Sequence, residues 1–339
     1  MATVVVDLND HRPIWTMPGW ARNAIEAATP DGWTVEFMSG AADGSGDGVV
    51  RAPLEVLDAV ADARVYMGYG IPAQVLEAGP SLEWVHSGAA GVGSSLTPAL
   101  LARDLTFTNS AGIHGPPMAE TVLAMLLFFA RGFDRAIDAQ RRATWGAKDF
   151  WAADVPVREL GGSTVGIVGY GGVGRLVADR VTAFGASVLG VRRERRAEDP
   201  AYVVGFREVD RVIRSADHLV LCVPETELTR GLMGRERLWA MKPGSVLVNV
   251  GRGALVDSEA LLEALDRGPI RGAGLDVVHQ EPLPDGHPLF HHPRVLLTPH
   301  VSATTARFWE RQTELICGNL DLFAHGRPLR NVVDLEAGY

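Results

Sequence analysis

The stretch STVGIVGYGGVG, residues 163–174, decides the reading of this 339-residue chain. It opens as an apolar, β-branched run and closes on Gly169-Tyr170-Gly171-Gly172-Val173-Gly174, which fits G-x-G-x-x-G. Residues 172–184 then carry helical periodicity, and SVLGV (187–191) reads as the next strand. A strand, a glycine turn and a helix in that order give the pattern its meaning. The first glycine permits the tight turn, the second lets the backbone approach a pyrophosphate, and the third allows close helix–strand packing. The phosphates would rest on helix N-terminal amides, where the dipole favours negative charge. Gly169, Gly171, Gly172, Val173 and Gly174 are therefore the expected dinucleotide contacts.

Outward from this loop, DHLVLCV (217–223), GSVLVNV (244–250), GAGLDVV (272–278) and RVLLTP (294–299) read as further strands, with helices over 227–241 and 258–266. Six parallel strands in about 135 residues is the size of one dinucleotide-binding domain. Toward the amino end, TVVVDL (3–8), WTVEFM (33–38), ARVYMG (63–68), LEWVHS (82–87) and a short run at 106–108 alternate with helical stretches, and Gly/Pro-containing loops fall at 29–32 and 40–48. A long apolar helix follows at 117–131, and an amphipathic one at about 303–325 is long enough to return to the first domain. Alternation of this kind predicts parallel sheets with helices on both faces. The expected fold is α/β, with two doubly wound parallel-sheet domains: a Rossmann coenzyme domain (108–307) inserted into a flavodoxin-like substrate domain (1–107 and 308–339).

Composition agrees with a globular chain, with 47% hydrophobic and 22% charged residues. The formal charge of -9 disfavours a nucleic-acid partner, whose phosphates would meet a net negative surface. Cys222 and Cys317 stand in apolar runs, as small hydrophobes do, and not at metal or redox spacing. The apolar stretch 121–130 is about half the ~20 residues a spanning helix needs, and MATVVVDLND lacks the basic region of a secretory signal. A soluble cytoplasmic protein without a membrane segment is expected.

Enzymes specific for NAD usually end the second strand of such a unit with an acid that accepts the ribose hydroxyls. Here Arg192 stands eighteen residues past Gly174, followed by Arg193, Glu194, Arg195 and Arg196. Arginines can donate charge-assisted hydrogen bonds to a 2′-phosphate, each worth about 1.5–3 kcal/mol. With Arg192 and Arg193 in that role, NADP(H) is the expected coenzyme and NAD(H) the alternative. The bland reading is a solvated basic loop with Glu194 on the ribose.

Three segments past the glycine loop place a titratable or charged residue beyond the carboxyl end of a predicted strand, where ligands bind in open α/β sheets. They are VNVGRG (248–253), DVVHQEP (276–282) and LTPH (297–300). An arginine can hold a carboxylate in bidentate fashion and polarise the adjacent carbonyl. A histidine can deliver a proton near neutral pH, and a carboxylate beside it stabilises the imidazolium.

These residues carry a resemblance. The glycine loop, VNVGRGALVD (248–257), GLDVVHQEPLP (274–284) and LTPH closely resemble the D-isomer-specific 2-hydroxyacid dehydrogenases, as do HGPPMAETVLAML (114–126), CVPETELTRGLM (222–233) and PLRNVVDLEAGY (328–339). The resemblance runs from about residue 83 onward. It implies a catalytic trio of Arg252, Glu281 and His300, with Asp276 near the nicotinamide and Pro224 and Val250 lining the coenzyme cleft. It implies that the loop 88–92, through Ala90 and Gly91, offers backbone amides to the substrate carboxylate, which Arg252 also binds. It further implies a homodimer joined through the coenzyme domain, with the helix at 117–131 as the contact. Many members carry Asp where this chain has Gly93, and Arg192 resembles the glyoxylate/hydroxypyruvate reductase branch.

The expected activity is hydride transfer between NADP(H) and C2 of a small 2-oxo acid. The rival is a nicotinamide-sensing scaffold resembling the corepressors built on the same fold, with little or no turnover. His287, His291 and His292 cluster near one another, but no Cys or carboxylate completes a ligand pattern, so no metal is expected. His114 reads as a hinge-packing residue, and Trp145 and Trp151 as surface packing or, by the resemblance, as reaching a neighbouring subunit's pocket.

Overall fold

The computed structural model describes residues 2–40, 51–151, 157–336 and 338. Most of the loop expected at 40–48 lies outside them. The chain divides into two compact units, Met1–His114 with Thr304–Tyr339, and Gly115–Ala303. Both divisions fall a few residues from the expected 107/108 and 307/308.

The first unit is a five-stranded sheet of β1 (Ala2–Asp7), β2 (Trp33–Phe37), β3 (Ala63–Gly68), β4 (Trp84–Ser87) and β5 (Thr106–Asn109), in the order β2-β1-β3-β4-β5. Every pairing is parallel, with Val4 opposite Val35 on one side and Val65 on the other. This is the flavodoxin-like order. Its central strands are buried along their length, as a sheet covered on both faces requires.

The second unit holds β6 (Thr164–Val168), β7 (Ser187–Arg192), β8 (Val203–Gly205), β9 (His218–Leu221), β10 (Ser245–Asn249), β11 (Ile270–Leu275) and β12 (Val295–Leu297). The order β12-β11-β10-β9-β6-β7-β8 is the doubly wound one, reversing between β6 and β9. Seven strands replace the six expected; β8, of three residues, is too short for periodicity to announce it. Its pairing of Val203 with Gly190 and Val204 with Val191 extends the sheet beyond β7. Two apolar layers sandwich the sheet. One gathers Val212, Leu238, Leu261 and Leu265, and the other gathers Val122, Leu126, Phe129 and Val177.

The helix expected at 227–241 is confined to Arg235–Trp239. Upstream, Thr229 Oγ1 donates to the Pro224 carbonyl at 2.7 Å and accepts from the Thr226 amide at 2.8 Å, closing a turn instead. Gly231, at φ +63°, then redirects the chain so that Met233 bridges to Val256. Side-chain hydroxyls competing for backbone groups override the helical pattern here. A helix at Phe133–Arg141, absent from the sequence reading, follows a left-handed Gly132.

Candidate active site

The glycine loop follows β6, at the point where the strand order reverses. Gly169 sits at φ +111°, and a Cβ on Gly174 would lie 2.1 Å from the Gly169 carbonyl oxygen, so the turn closes only with glycine at these two positions. Over Gly171 and Gly172 the space is open, with no heavy atom within 4 Å of an added Cβ. The helix Gly172–Ala183 begins there with no side-chain cap, so its first amides point into that space. An approachable backbone at an uncapped helix N-terminus fits a pyrophosphate. The Cys222 thiol donates to the Gly169 carbonyl at 3.2 Å, and burial pushes its pKa up to about 12, which marks a structural thiol.

Arg192 ends β7 with its side chain 15% exposed, and its Nη1 donates to both oxygens of Asp199 at 2.7 and 3.0 Å. The Asp199 carboxylate also accepts from the Arg196 amide at 2.7 Å and faces Arg175 at 3.6 Å. Burial of Asp199 opposes its charge, but these amide and guanidinium donors outweigh it and hold the carboxyl below its ordinary range. Arg175, one residue past Gly174, lies over the Tyr170 ring at 5.8 Å. Sequence reading missed both residues. A cation in the first helical turn after the loop was the available signal for Arg175; nothing in sequence pairs position 199 with 192. Arg193 and Glu194 are exposed.

The catalytic candidates stand past β10, β11 and β12, and buried polar residues brace the loops that carry Arg252 and His300. Beyond β10, the fully buried Asn249 accepts from the Gly251 amide at 3.0 Å and donates to the Arg252 carbonyl at 2.9 Å. A Cβ on Gly253 would overlap Val278 at 1.9 Å, so the Arg252 loop packs directly against the backbone leading to Glu281. Beyond β11, Asp276 is 2% exposed; it accepts from Thr298 Oγ1 at 2.6 Å and from the amides of Val301 and Ser302 at 2.9 and 3.0 Å. Its carbonyl takes the His300 amide at 2.8 Å. His300 sits at φ +54°, a left-handed conformation costing a non-glycine residue about 1–3 kcal/mol, which the Asp276 bonds offset.

His300 Nδ1 lies 2.7 Å from Glu281 Oε2, with the side chains 39% and 35% exposed. The other carboxylate oxygen, Oε1, accepts from the Val278 amide at 3.0 Å, which fixes the Glu281 orientation. Both residues line a groove of about 760 Å³ that also takes in Asp276, Leu283 and Thr298. The geometry leaves His300 Nε2 without a partner among the described residues. A proton on each nitrogen would bind Glu281 on one side and be presented on the other.

In the first unit, Ala90 and Gly91 lie beyond β4. Asn109 Nδ2 donates to the Ala90 carbonyl at 2.9 Å and the Ser110 amide to that of Ala89 at 3.2 Å. These bonds brace the loop despite Gly93, and they leave the Ala90 and Gly91 amides without a partner among the described residues. His114 stacks on Phe308 at 5.5 Å and meets Trp15 edge-on. Pro224 is exposed, whereas the Val250 side chain belongs to the apolar core, so any role toward a coenzyme passes through its backbone. Trp145 and Trp151 are 95% and 76% exposed. His287 and His292 accept from the Leu289 and Arg294 amides as local caps. Among the described residues no His, Cys, Asp or Glu cluster could hold a metal ion, and no helix is long and apolar enough to cross a membrane.

Comparison with known proteins points one way. A family model described as D-isomer specific 2-hydroxyacid dehydrogenase, NAD binding domain, matches residues 123–302. Glycerate dehydrogenase of Methylorubrum extorquens is 32% identical over 83% of this chain and 89% of its own. Glyoxylate reductase of Korarchaeum cryptofilum is 35% identical over 78% and 80%. Among solved structures, a D-isomer specific 2-hydroxyacid dehydrogenase from Xanthobacter autotrophicus Py2, in complex with NADPH and MES, covers 100% of both chains at 28% identity and a TM-score of 0.79.

Proposed function

Given that the chain belongs to the D-isomer-specific 2-hydroxyacid dehydrogenase family and is an NAD(P)-dependent oxidoreductase, we propose that it reduces C2 of glyoxylate, hydroxypyruvate or a similarly small 2-oxo acid to the D-2-hydroxy acid with NADP(H). The 2.7 Å pair of His300 with Glu281 on the carboxyl edge of the coenzyme sheet carries this reading. The reduced nicotinamide supplies the hydride when bound.

The protein's own residues do the rest. Arg252 holds the substrate carboxylate and orients the carbonyl. His300 delivers its Nε2 proton to the forming alkoxide oxygen, and Glu281 on Nδ1 stabilises the imidazolium until that moment. Asp276, with its carboxylate spent on the 298–302 loop, positions His300. Toward the coenzyme, Gly171, Gly172 and Val173 give helix N-terminal amides to the pyrophosphate, and Pro224 and the Val250 backbone border the ring.

Preference for NADP(H) over NAD(H) rests on the arginines past β7. Asp199 faces both Arg192 and Arg175, and Arg196 faces Glu198 at 3.9 Å, but five arginines (Arg175, Arg192, Arg193, Arg195 and Arg196) stand against three acids (Glu194, Glu198 and Asp199) around the same turn, an excess of positive charge suited to a 2′-phosphate.

The test is the initial rate of NADPH oxidation, with NADH in parallel, across 2-oxo acids from glyoxylate to phenylpyruvate. Turnover is expected fastest on the smallest acids with NADPH, and about ten- to a hundredfold slower with NADH at sub-saturating coenzyme. Tight coenzyme binding without turnover on any acid would instead favour the non-catalytic scaffold. A homodimer is the expected assembly, since the second unit exposes Phe133, Ile137, Trp145 and Trp151. A monomer mass by light scattering of the same preparation would remove it.

A further inference from the structure

The groups above occupy the carboxyl edge of the seven-stranded sheet, and its amino edge carries a separate feature. Ahead of β10, β11 and β12 lies a cavity of about 500 Å³. Arg135 and Arg142 reach it from the helix Phe133–Arg141 and its end, Arg271 from the start of β11, and Arg294 from the turn before β12. The carboxylates of the lining are Asp134 and Asp138. Among the described residues, four arginines and two aspartates line it, in a chain whose net charge is -9.

Both aspartates are already engaged, Asp134 with Arg271 Nη2 at 3.1 Å and Asp138 with Arg142 at 2.9 Å. Arg135 and Arg294 form no ion pair among the described residues. The Arg271 side chain is only 10% exposed, and its Nε and Nη1 are buried without a hydrogen-bond partner among the described residues. A guanidinium carries five N–H donors, and the bond to Asp134 uses one nitrogen. Burial, only partly offset by Asp134, holds Arg271 below its ordinary range, and Arg135 and Arg158 push the same way. His218, which begins β9, is lowered to about 4, by burial first and then, against the opposing pull of Asp217, by Arg158 and Arg271. The amino edge is thus a region of positive potential.

Crowded cations and unspent buried donors are unfavourable unless an anion completes them. A phosphate monoester carries about -1.5 to -2 near neutral pH and three strong acceptor oxygens. That charge suits Arg135, Arg271 and Arg294, of which only Arg271 meets a carboxylate among the described residues, and those oxygens suit the planar forks of arginine. The volume is in the range of small-ligand sites, larger than a bare ion needs. We propose that this amino-edge cavity binds the dianionic phosphoryl group of a small ligand through Arg135, Arg271 and Arg294, apart from the coenzyme and substrate positions on the opposite edge.

Inorganic phosphate is the probe, titrated calorimetrically at constant ionic strength into protein saturated with reduced coenzyme, so that the coenzyme's own phosphate positions are filled. One saturable site is expected. Arg135→Gln and Arg294→Gln should each raise its Kd about ten- to a hundredfold, while Arg252→Gln leaves it unchanged. Asp134→Asn with Arg271→Gln should abolish it; because that double change touches the base of β11, the two single variants decide if it fails to fold. Absence of saturable binding to the wild type overturns the proposal, as does a Kd indifferent to both single variants. Loss of binding in Arg252→Gln would move the ion to the substrate carboxylate's position and overturn it equally. Malonate binding as tightly as phosphate would overturn the phosphoryl assignment.

Discussion

At the carboxyl end of β1, Asp7 is 5% exposed and accepts from the Tyr66 hydroxyl at 3.2 Å; at the carboxyl end of β11, Asp276 is 2% exposed and accepts from two amides and the Thr298 hydroxyl. Each carboxylate stands at the carboxyl end of a strand in a doubly wound sheet, and the two are buried alike. What differs is the partner. Asp7 ends in another buried side chain, and nearby His86, on β4, is likewise enclosed between Thr108 at 2.9 Å and Gln312 at 3.1 Å. Asp276 instead ends in the backbone of the loop that carries His300 outward to 39% exposure. In the first unit buried polar groups close a core, and in the second they brace an exposed reactive one.

The comparison breaks most sharply at the exposed end. His300→Ala should lower the reduction rate about a hundred- to ten-thousandfold, the usual worth of a positioned proton donor, with coenzyme Kd nearly unchanged. A loss smaller than about tenfold in His300→Ala, with chemistry limiting, would remove His300 from that role.

Asp276→Asn probes the brace. One acceptor oxygen becomes an NH2 facing a donor, so one of the bonds that hold His300 at φ +54° is lost. A kcat about ten- to a hundredfold lower, with unchanged circular dichroism and coenzyme Kd, is the expected result, since small misplacements of a reacting group cost that much. If coenzyme affinity falls and kcat does not, Asp276 faces the nicotinamide, as the resemblance implies.

The same contrast explains what could be read before the structure. The strands and the inserted glycine-loop unit were legible because β-branched runs and glycines act locally, and the placement of Arg252, Glu281 and His300 past strand ends because each follows a strand in a distinctive segment. The Asp276 brace was not legible: its partners are amides brought together by β11 and β12, and His300 is not a residue that advertises a left-handed backbone. Arg192 was singled out as a cation past the glycine loop, and the structure places it at the end of β7, yet its bond to Asp199 depends on how the 193–199 turn closes. The region at 227–241 misled because Thr229 satisfies the backbone through its side chain, which helical periodicity does not register.

The smallest expected effect lies in the sealed region and turns on sign. Burial, with a smaller push from Glu55 and against the Tyr66 bond, raises Asp7 from 3.8 to about 6, so between those values the folded state binds the proton more tightly and stability falls as pH rises. Burial lowers His86 from 6.5 to about 3, so the folded state binds it less tightly and stability is lost as pH falls through that window. Between about pH 4 and about pH 6 the two slopes oppose each other, and the wild type should show little net dependence from this pair. Asp7→Asn keeps an acceptor for Tyr66 and removes one slope. The variant should match the wild type near pH 4 and exceed it by about 1 to 3 kcal/mol at neutral pH, measured by urea unfolding across that range. A difference that does not grow with pH would mean that Asp7 is not held as a buried acid, and the contrast with Asp276 would then rest on exposure alone.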